Sequence, residues 1–439
     1  MKAKISYFLE MLKTSFWFLP LVIILSFIGL AFLFIYFDLR IRFEPNGFLL
    51  YFLSGGAESA RNVLTIIGSA MLGVAGTVFS ITLVVLTLAS SQFGARLLRN
   101  FMYDRLNQVV LGTYVATFIY CILVLKTVKS EMDIEFVPNL SILVAMILAV
   151  ANIFLLIVYI HHISVSIQAD HVISDVNQNL TKSIRTLFPE ELGEELGSEE
   201  KNIEQFREIM KSFPSPEVVK CARSGYLQAI DSDGLIDLAA KYDLFLSLNY
   251  RPGNFLVNNE PLVEVFSNKP CTDELKEKIS DTFMLGKVRT PVQDAEFAIH
   301  QLVEVAARAL SPGVNDPFTA ITCIDNLTSS LCYLTGVKFP SIWRYDEEGR
   351  LRMKVRPVNF AGMMDAAFNQ IRQYGKGSPA VIIRLMEALG TINRFATLPG
   401  HAEAVERHAK MVLNDAEESI TEENDLNDLR ERFRKIKRT

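Results

Sequence analysis

Four long apolar segments in the first 162 residues limit what this chain can fold into more than any other feature. They cover residues 16–37, 63–88, 109–125 and 140–160, and none contains a charged residue. Each comes close to the roughly 20 apolar residues that an α-helix needs to cross a bilayer. Half of the chain is hydrophobic and the mean hydropathy is +0.24. The sequence therefore predicts a four-helix transmembrane domain over residues 1–162, in contact with lipid, and excludes a purely soluble enzyme.

Basic residues near the ends of these segments predict how the chain is oriented. Four spans put both termini on one side, and eight Lys and Arg lie near the membrane on that side, against five on the other. The eight are Lys2, Lys4, Lys13, Arg96, Arg99, Arg105, Lys182 and Arg185, and the five are Arg40, Arg42, Arg61, Lys126 and Lys129. Because cytoplasmic loops carry the excess of basic residues, we expect cytoplasmic N- and C-termini, with Gly55 and Asn139 facing outward.

The distribution of charge and cysteine excludes several classes of protein. Residues 1–162 hold 11 Lys and Arg and 8 Asp and Glu, whereas the whole chain has a net charge of −5, so the remainder is acidic. Without a basic stripe, nucleic acid is not an expected partner. The five cysteines, at 121, 221, 271, 323 and 332, form no CxxC pair. We therefore expect no disulfide framework, no metal and no cofactor.

Small and hydroxyl-bearing residues share one face of the second apolar segment. Helical spacing keeps them in register, and two explanations are open. Small residues let helices approach closely in lipid, or the face lines a polar pathway around the axis of an oligomer. The residues of this small-residue face are Ser69, Gly73, Gly76, Ser80, Thr87 and Ser91.

The fourth apolar segment continues as an amphipathic stripe, which predicts one helix that leaves the membrane as a stalk. The stripe comprises Val165, Ala169, Val172, Val176, Leu180, Ile184 and Leu187. His161, His162 and His171 lie at its start, and we interpret them as interfacial residues in preference to metal ligands. An acidic linker follows, so residues 163–201 form a stalk and linker.

Beyond residue 201 the pattern is typical of a cytoplasmic α+β domain. Residues 202–288 read as a mixed α/β segment with a small β-sandwich-like part, in which strands are predicted over 226–230, 244–248, 255–257 and 262–265. A helix capped by Asp233 is predicted to run to Tyr242. Residues 289–439 read as a C-terminal helical segment with helices over 358–374, 379–395 and 400–420, followed by a solvated tail over 422–438.

Two features of the helical segment could carry chemistry. The first is a set of charged residues at helical spacing, which favours a salt-bridged helix face over a ligand or ion contact. They are Asp294, Glu296, His300, Glu304 and Arg308.

The chain contains no Gly-x-Ser-x-Gly elbow, HExxH motif or P-loop, so we expect no enzymatic activity and assign no catalytic residue.

The loop over residues 311–317 is a candidate structural or regulatory element. Pro312 presets a turn dihedral and Gly313 is expected to take a positive φ, while Asn315 and Asp316 can cap the next helix. An alternative is that their oxygen atoms bind a hard cation. The loop begins at Ser311.

Several motifs spread over most of the chain are distinctive. They are Ser90-Ser91-Gln92-Phe93-Gly94-Ala95-Arg96-Leu97-Leu98-Arg99-Asn100-Phe101 with residues 108–113, Gln293-Asp294, Ala309-Leu310-Ser311-Pro312-Gly313-Val314-Asn315-Asp316-Pro317 and Gln370-Ile371-Arg372-Gln373-Tyr374-Gly375. Together these motifs resemble the bacterial DUF2254 membrane proteins. His300 stands where an arginine is expected in such proteins. The resemblance implies a location in the bacterial envelope and the two-part architecture, and it supplies no substrate, cofactor or catalytic residue. With the four apolar segments, we expect the protein in the inner (plasma) membrane.

Two functions are consistent with these observations. The first is a homo-oligomeric channel or channel-like assembly controlled by its cytoplasmic domain, which the small-residue face favours. The second is a membrane-tethered sensor or scaffold whose cytoplasmic domain binds a small ligand or a partner protein. A proton-driven transporter is disfavoured because no ionisable residue lies within the four segments.

Overall fold

The chain folds into two compact units, Met1–His171 and Val172–Thr439. The structure is a computed structural model that describes residues 16–40, 56–94, 104–131, 134–188, 199–212 and 216–438. Most of the acidic linker and the motif residues 95–101 lie outside the described residues.

The first unit contains four helices that are long and apolar enough to cross a membrane, within the part of the chain that is described. They are α1 (Phe18–Arg40), α2 (Ala57–Phe93), α3 (Arg105–Leu125) and α4 (Asn139–Ser166). At 1.5 Å per residue, α2 is about 55 Å long and exceeds the roughly 30 Å of a hydrocarbon core. The prediction of four long apolar helices is confirmed, although these helices extend beyond the apolar segments and take in Asp38, His161 and His162.

Helix α3 is the centre of the first unit. Half of its most apolar window is buried, compared with 6% for α1. Gly112 on α3 lies against α1, where an added Cβ would come within 2.9 Å of the Pro20 Cα. A short antiparallel hairpin, β1 (Lys129–Glu131) and β2 (Ile134–Phe136), joins α3 to α4. Close approach at Gly112 is the small-residue packing that membrane helices commonly use.

The predicted continuous stalk is two helices. Helix α4 ends at Ser166, and α5 (Ala169–Leu187) begins after a short break. The apolar stripe of α5 is nevertheless buried, at Val172, Val176, Leu180 and Ile184. The expectation of an uninterrupted helix was therefore wrong, whereas the amphipathic character of residues 169–187 is confirmed.

Two small sheets form the mixed part of the second unit. Their strands are β3 (Glu217–Lys220), β4 (Gly225–Ile230), β5 (Phe245–Leu248), β6 (Phe255–Leu256), β7 (Pro261–Phe266), β8 (Phe283–Gly286), β9 (Trp343–Tyr345) and β10 (Leu351–Lys354). One sheet has the strand order β3-β7-β5-β10-β9 and the other has the order β6-β4-β8. Every pair of neighbouring strands is antiparallel except β5 with β10. Both sheets contribute to one core, which also includes residues of α7 (Ser232–Tyr242) and α8 (Asp273–Ser280). Asp231, and not Asp233, caps α7 through the Gly234 amide.

The second unit contains further helices, most of them in its C-terminal half. They are α6 (Glu199–Ser212), α9 (Phe297–Ala309), α10 (Pro317–Thr335), α11 (Phe360–Gly375), α12 (Pro379–Phe395), α13 (Pro399–Ser419) and α14 (Glu423–Arg438). Residues 289–439 are not wholly helical, because the β9–β10 hairpin lies within them and completes the five-stranded sheet. The tail predicted to be solvated is helix α14, which buries Leu426, Leu429 and Ile436.

Candidate functional site: an arginine-lined cavity

A cavity of about 310 Å³ lies in the second unit, at the lower end of the range for small-molecule sites. Segments distant in the sequence form its wall: the end of α5, the start of α7, the β5–β6 loop, the segment before α9, and the residues on either side of the β9–β10 hairpin. Its polar lining residues are Ser232, Tyr250, Arg251, Gln293, Ser341, Arg344 and Arg356.

The charge of the cavity wall is one-sided. Three arginines line the cavity, and no Asp, Glu, His, Lys or Cys does so among the described residues. The apolar part of the wall includes Leu187, Ile230, Val355 and Val358. A concave, mostly apolar surface with a few convergent charged groups is the usual form of a small-ligand site. The sign of the charge indicates an anionic ligand.

Arg251 forms an ion pair with Glu296, which does not itself line the cavity. Its guanidinium lies 2.5 Å from a carboxylate oxygen of Glu296, which also approaches His300 at 3.8 Å. Burial opposes ionisation of Glu296, but its contacts with His300 and Arg251 outweigh burial and lower the pKa of Glu296. Glu296 is therefore ionised at neutral pH and neutralises Arg251.

Arg344 and Arg356 have no carboxylate partner among the described residues. Arg344 is half-buried and donates hydrogen bonds to the backbone carbonyls of Ser341 and Trp343. Burial lowers the pKa of Arg344, although an arginine stays protonated at neutral pH. Arg356 is exposed, and no hydrogen bond or ion pair of its side chain occurs within the described part of the chain. These two guanidinium groups are available to a ligand.

Gln293 and Asp294, one of the motifs recognised in the sequence, fix the segment before α9 in place. The Gln293 side chain accepts a hydrogen bond from the Ile230 amide at 3.0 Å and donates to the Ile230 carbonyl at 3.2 Å, so it extends the edge of β4 as a strand would. Asp294 is buried and pairs with Arg289 at 2.6 Å. Burial raises the pKa of Asp294 in spite of that arginine.

The turn after Arg251 is shaped by Gly253. Its φ is +95°, and an added Cβ would lie 2.6 Å from a carboxylate oxygen of Asp294. Only glycine meets both requirements without strain. The sequence showed this segment as a turn, but its contact with Asp294, 41 positions further along the chain, has no sequence signal.

The charged helix face is only partly involved in the site. Glu296 and His300 lie near Arg251, whereas Glu304 and Arg308 are 3.8 Å apart as an ordinary i,i+4 pair. The structure thus divides this face into a part that supports the cavity and a part that forms a surface ion pair. His300 lies 3.8 Å from a carboxylate oxygen of Glu296, as an i,i+4 neighbour.

The 311–317 loop joins α9 to α10. Asp316 accepts hydrogen bonds from the amides of Phe318 and Thr319, both at 3.1 Å, and so caps α10. The positive φ occurs at Asn315 (+49°) and not at Gly313, so the expected conformation of Gly313 was wrong. Ser311 is half-buried, whereas Pro312, Gly313 and Asn315 are exposed. No group of three or more His, Cys, Asp and Glu that could hold a metal occurs within the described ranges.

The small-residue face of α2 points away from the other described helices. Ser69, Gly73, Gly76, Ser80, Thr87 and Ser91 are all exposed. No described atom lies within 4 Å of a Cβ added at Gly73 or Gly76. Ser80 and Thr87 donate to the carbonyls of Gly76 and Leu83 of their own helix. The face is therefore smooth, and these hydroxyl groups are satisfied without an aqueous partner.

The polar contacts between the helices of the first unit were missed by the sequence analysis. Asp38 accepts hydrogen bonds from the Leu140 and Ser141 amides, both at 2.9 Å, and so caps α4. Asn152 donates to Thr117 at 2.9 Å. His162 pairs with Asp104. Two of these contacts could have been suspected from the sequence, because Asp38 and Asp104 are acidic residues close to the ends of apolar segments.

These features are those of a predicted membrane protein with four candidate membrane-spanning helices and an arginine-lined cavity in its second unit. The family model described as "Predicted membrane protein (DUF2254)" matches residues 13–391. The chain therefore belongs to the DUF2254 family.

Relatives of this chain occur in mycobacteria. Uncharacterized proteins of Mycobacterium bovis and Mycobacterium tuberculosis are each 30% identical to it over 377 residues, which cover 84% of this chain and 71% of the relative. No solved structure matches the chain.

Proposed function

We propose that this protein is a membrane-anchored receptor whose second unit binds a small organic anion in the arginine-lined cavity. The observation that carries the proposal is the one-sided charge of the wall: three arginines and no carboxylate among its described residues. The first unit serves as the anchor, in an inner (plasma) membrane with cytoplasmic termini.

The composition of the wall favours binding over turnover. Ser232 and Ser341 supply hydroxyl groups, but no His, Asp, Glu, Lys or Cys lines the cavity within the described residues. A hydroxyl nucleophile generally needs an adjacent base. The proposed role is therefore recognition of the anion and not its conversion.

Binding can be measured on the full-length protein in detergent. The chain has two tryptophans, and Trp343 adjoins Arg344 and is 4% exposed. In a Trp17→Phe background, Trp343 is the one remaining tryptophan, and its emission reports on the second unit, next to Arg344 of the cavity wall. A panel of small organic anions should include some that change this emission saturably, whereas matched neutral alcohols should not. A panel without a single saturable response would refute the proposal.

A second candidate function is the homo-oligomeric, channel-like assembly. It is supported by the exposed small-residue face of α2, because small residues favour close helix–helix contacts in lipid. A second copy of the chain is the partner that such a face would suit. Native mass spectrometry of the protein in detergent tests this: a monomer at all concentrations would remove the basis for a pore, since four helices are too few to enclose one.

A further inference from the structure

Two arginines in the cavity wall, Arg344 and Arg356, decide which class of anion fits. Arg251 is already neutralised by Glu296 at 2.5 Å. Arg344 and Arg356 then present two positive charges without an acidic partner among the described residues. An anion with a single charge can neutralise only one of the two guanidinium groups, whereas an anion with two charges can neutralise both. A dianion is the better match.

The donor geometry favours phosphate over carboxylate. A guanidinium group offers its N–H donors as a planar fork that fits phosphate and carboxylate oxygens in pairs. A phosphomonoester carries about −1.5 to −2 charges at pH 7 and three acceptor oxygens, enough for two such forks. Ser232, which also lines the cavity, is the first residue of α7.

The rest of the wall limits the organic part of the ligand. Leu187, Tyr250, Val355 and Val358 are half-buried and line the cavity, so they can still lose exposed surface to a ligand. The volume of about 310 Å³ suits a compact group and is too small for a dinucleotide or a pair of acyl chains. The Tyr250 hydroxyl donates a hydrogen bond to Glu260 at 2.5 Å. This bond holds the Tyr250 ring in place as part of the cavity wall.

We propose, building on the receptor function above, that the cavity recognises a phosphomonoester that carries a small uncharged apolar group. Arg344 and Arg356 hold the phosphate, and the apolar residues cover the organic group. The same chemistry occurs in soluble metabolites and at the head of a phosphomonoester lipid, and the experiment separates these two sources.

Titration calorimetry on the full-length protein in detergent tests the class of ligand. The probes are phenyl phosphate, inorganic phosphate and benzoate. Phenyl phosphate should bind at least about tenfold more tightly than either of the others, since each lacks one of the two recognised parts. Its affinity should also rise as the pH increases through about 6, where the second phosphate proton is lost.

Arginine variants locate the site. Arg356→Gln should weaken phenyl phosphate binding by roughly tenfold or more, and Arg356→Lys should recover part of the affinity through its charge. Arg350→Gln is the matched control, because Arg350 lies close to Arg356 in the sequence, in the β9–β10 turn, is exposed and pairs with Glu348 at 3.2 Å. An equal loss in Arg350→Gln and Arg356→Gln would place binding outside the cavity and overturn the inference.

The outcomes distinguish this inference from the receptor function. Benzoate that binds as tightly as phenyl phosphate, and is lost in Arg356→Gln, would leave an anion receptor but refute the phosphomonoester. If none of the probes and no other small anion bound, both would be wrong. For the source, nanodiscs with phosphatidic acid are compared with phosphatidylcholine nanodiscs. Inhibition of phenyl phosphate binding by phosphatidic acid supports a lipid head, and unchanged binding supports a soluble ligand.

Discussion

Gly253 shows how one residue can fix the shape of the cavity wall. Its φ of +95° and the nearby Asp294 carboxylate both act against any side chain at this position. Asp294 in turn holds Arg289 and the Glu296 amide. A substitution at Gly253 should therefore displace Asp294 and, through Glu296, change the position of the Arg251 side chain. Gly253 does not itself line the cavity.

We expect Gly253→Ala to destabilise the second unit by about 2–4 kcal/mol, from backbone strain and from displacement of Asp294. Gly377→Ala is the control, because its φ is +93° but no described atom lies within 4 Å of an added Cβ. Denaturant unfolding followed by Trp343 emission, in the Trp17→Phe background, measures both. Equal losses in the two variants would mean that Asp294 moves aside without cost.

His408 gives the second unit a predictable response to acid. It is fully buried and 3.0 Å from Asp365, with Arg407 and Arg372 nearby, and burial lowers its pKa to about 4. The unfolded chain, with an ordinary histidine pKa of about 6.5, binds more protons in this range. Stability is therefore complete above about pH 6.5 and declines toward pH 4, by at most about 3 kcal/mol.

Replacing His408 should remove this pH dependence. The difference in unfolding free energy between the wild type and His408→Gln, measured by Trp343 emission, should shrink as the pH falls from 6.5 to 4. His300→Gln serves as a control at a half-buried histidine on α9. Parallel stability curves for the wild type and His408→Gln would show that His408 is protonated equally in the folded and unfolded states.

At the scale of elements, periodicity predicted helices well and missed structure that depends on distant partners. Helix α12 was predicted with the bounds Pro379–Phe395 that it has in the structure, because its pattern is strong and proline occupies its first turn. The β9–β10 hairpin was missed, since its two short strands are stabilised by pairing β10 with β5 about a hundred residues earlier.

The cavity could be predicted only in parts. The sequence indicated the turn after Arg251, and resemblance drew attention to Gln293 and Asp294. Nothing in the sequence associates Arg251 with Arg344 and Arg356, because the β10–β5 pairing that brings their segments together is long-range. Helix α14 was missed for a simpler reason. Its many charged residues indicated a solvated tail, while Leu426, Leu429 and Ile436 supply a narrow buried stripe.

Glycines on three helices of the first unit should respond differently to the same substitution. A Cβ added at Gly76 meets no described atom within 4 Å, so we expect Gly76→Leu to leave the single chain folded and to weaken only contacts with a second copy. Gly29→Leu on α1 is the matched control, with equally open space. Gly112→Leu should disrupt the fold, because Pro20 lies 2.9 Å from the added Cβ.

Native mass spectrometry and ion flux in proteoliposomes measure the outcome for these variants. We expect Gly76→Leu to lower the oligomer population at least severalfold while Gly29→Leu resembles the wild type. If Gly76→Leu also resembled the wild type in assembly and in flux, the small-residue face would have no role in association, and the channel-like candidate would lose its support.

At the scale of the whole molecule, orientation decides which ligands the cavity can meet. With cytoplasmic termini, the second unit draws its ligand from the metabolites of the cell. In the opposite orientation it would sample the solution outside. The basic residues favour the cytoplasm by eight to five, and this bias gives the orientation that labelling can test.

Single cysteines at two exposed positions test the orientation. Lys129 follows the third span and Lys410 lies on α13, after the fourth. Four of the native cysteines are buried, and Cys332 can be replaced by serine. A membrane-impermeant maleimide should label Lys129→Cys in intact cells, and Lys410→Cys only after permeabilisation, because the second unit is expected on the inner side. The reverse pattern would invert the topology and move the cavity to the outer solution. Labelling of both positions from outside would contradict the presence of one span between them.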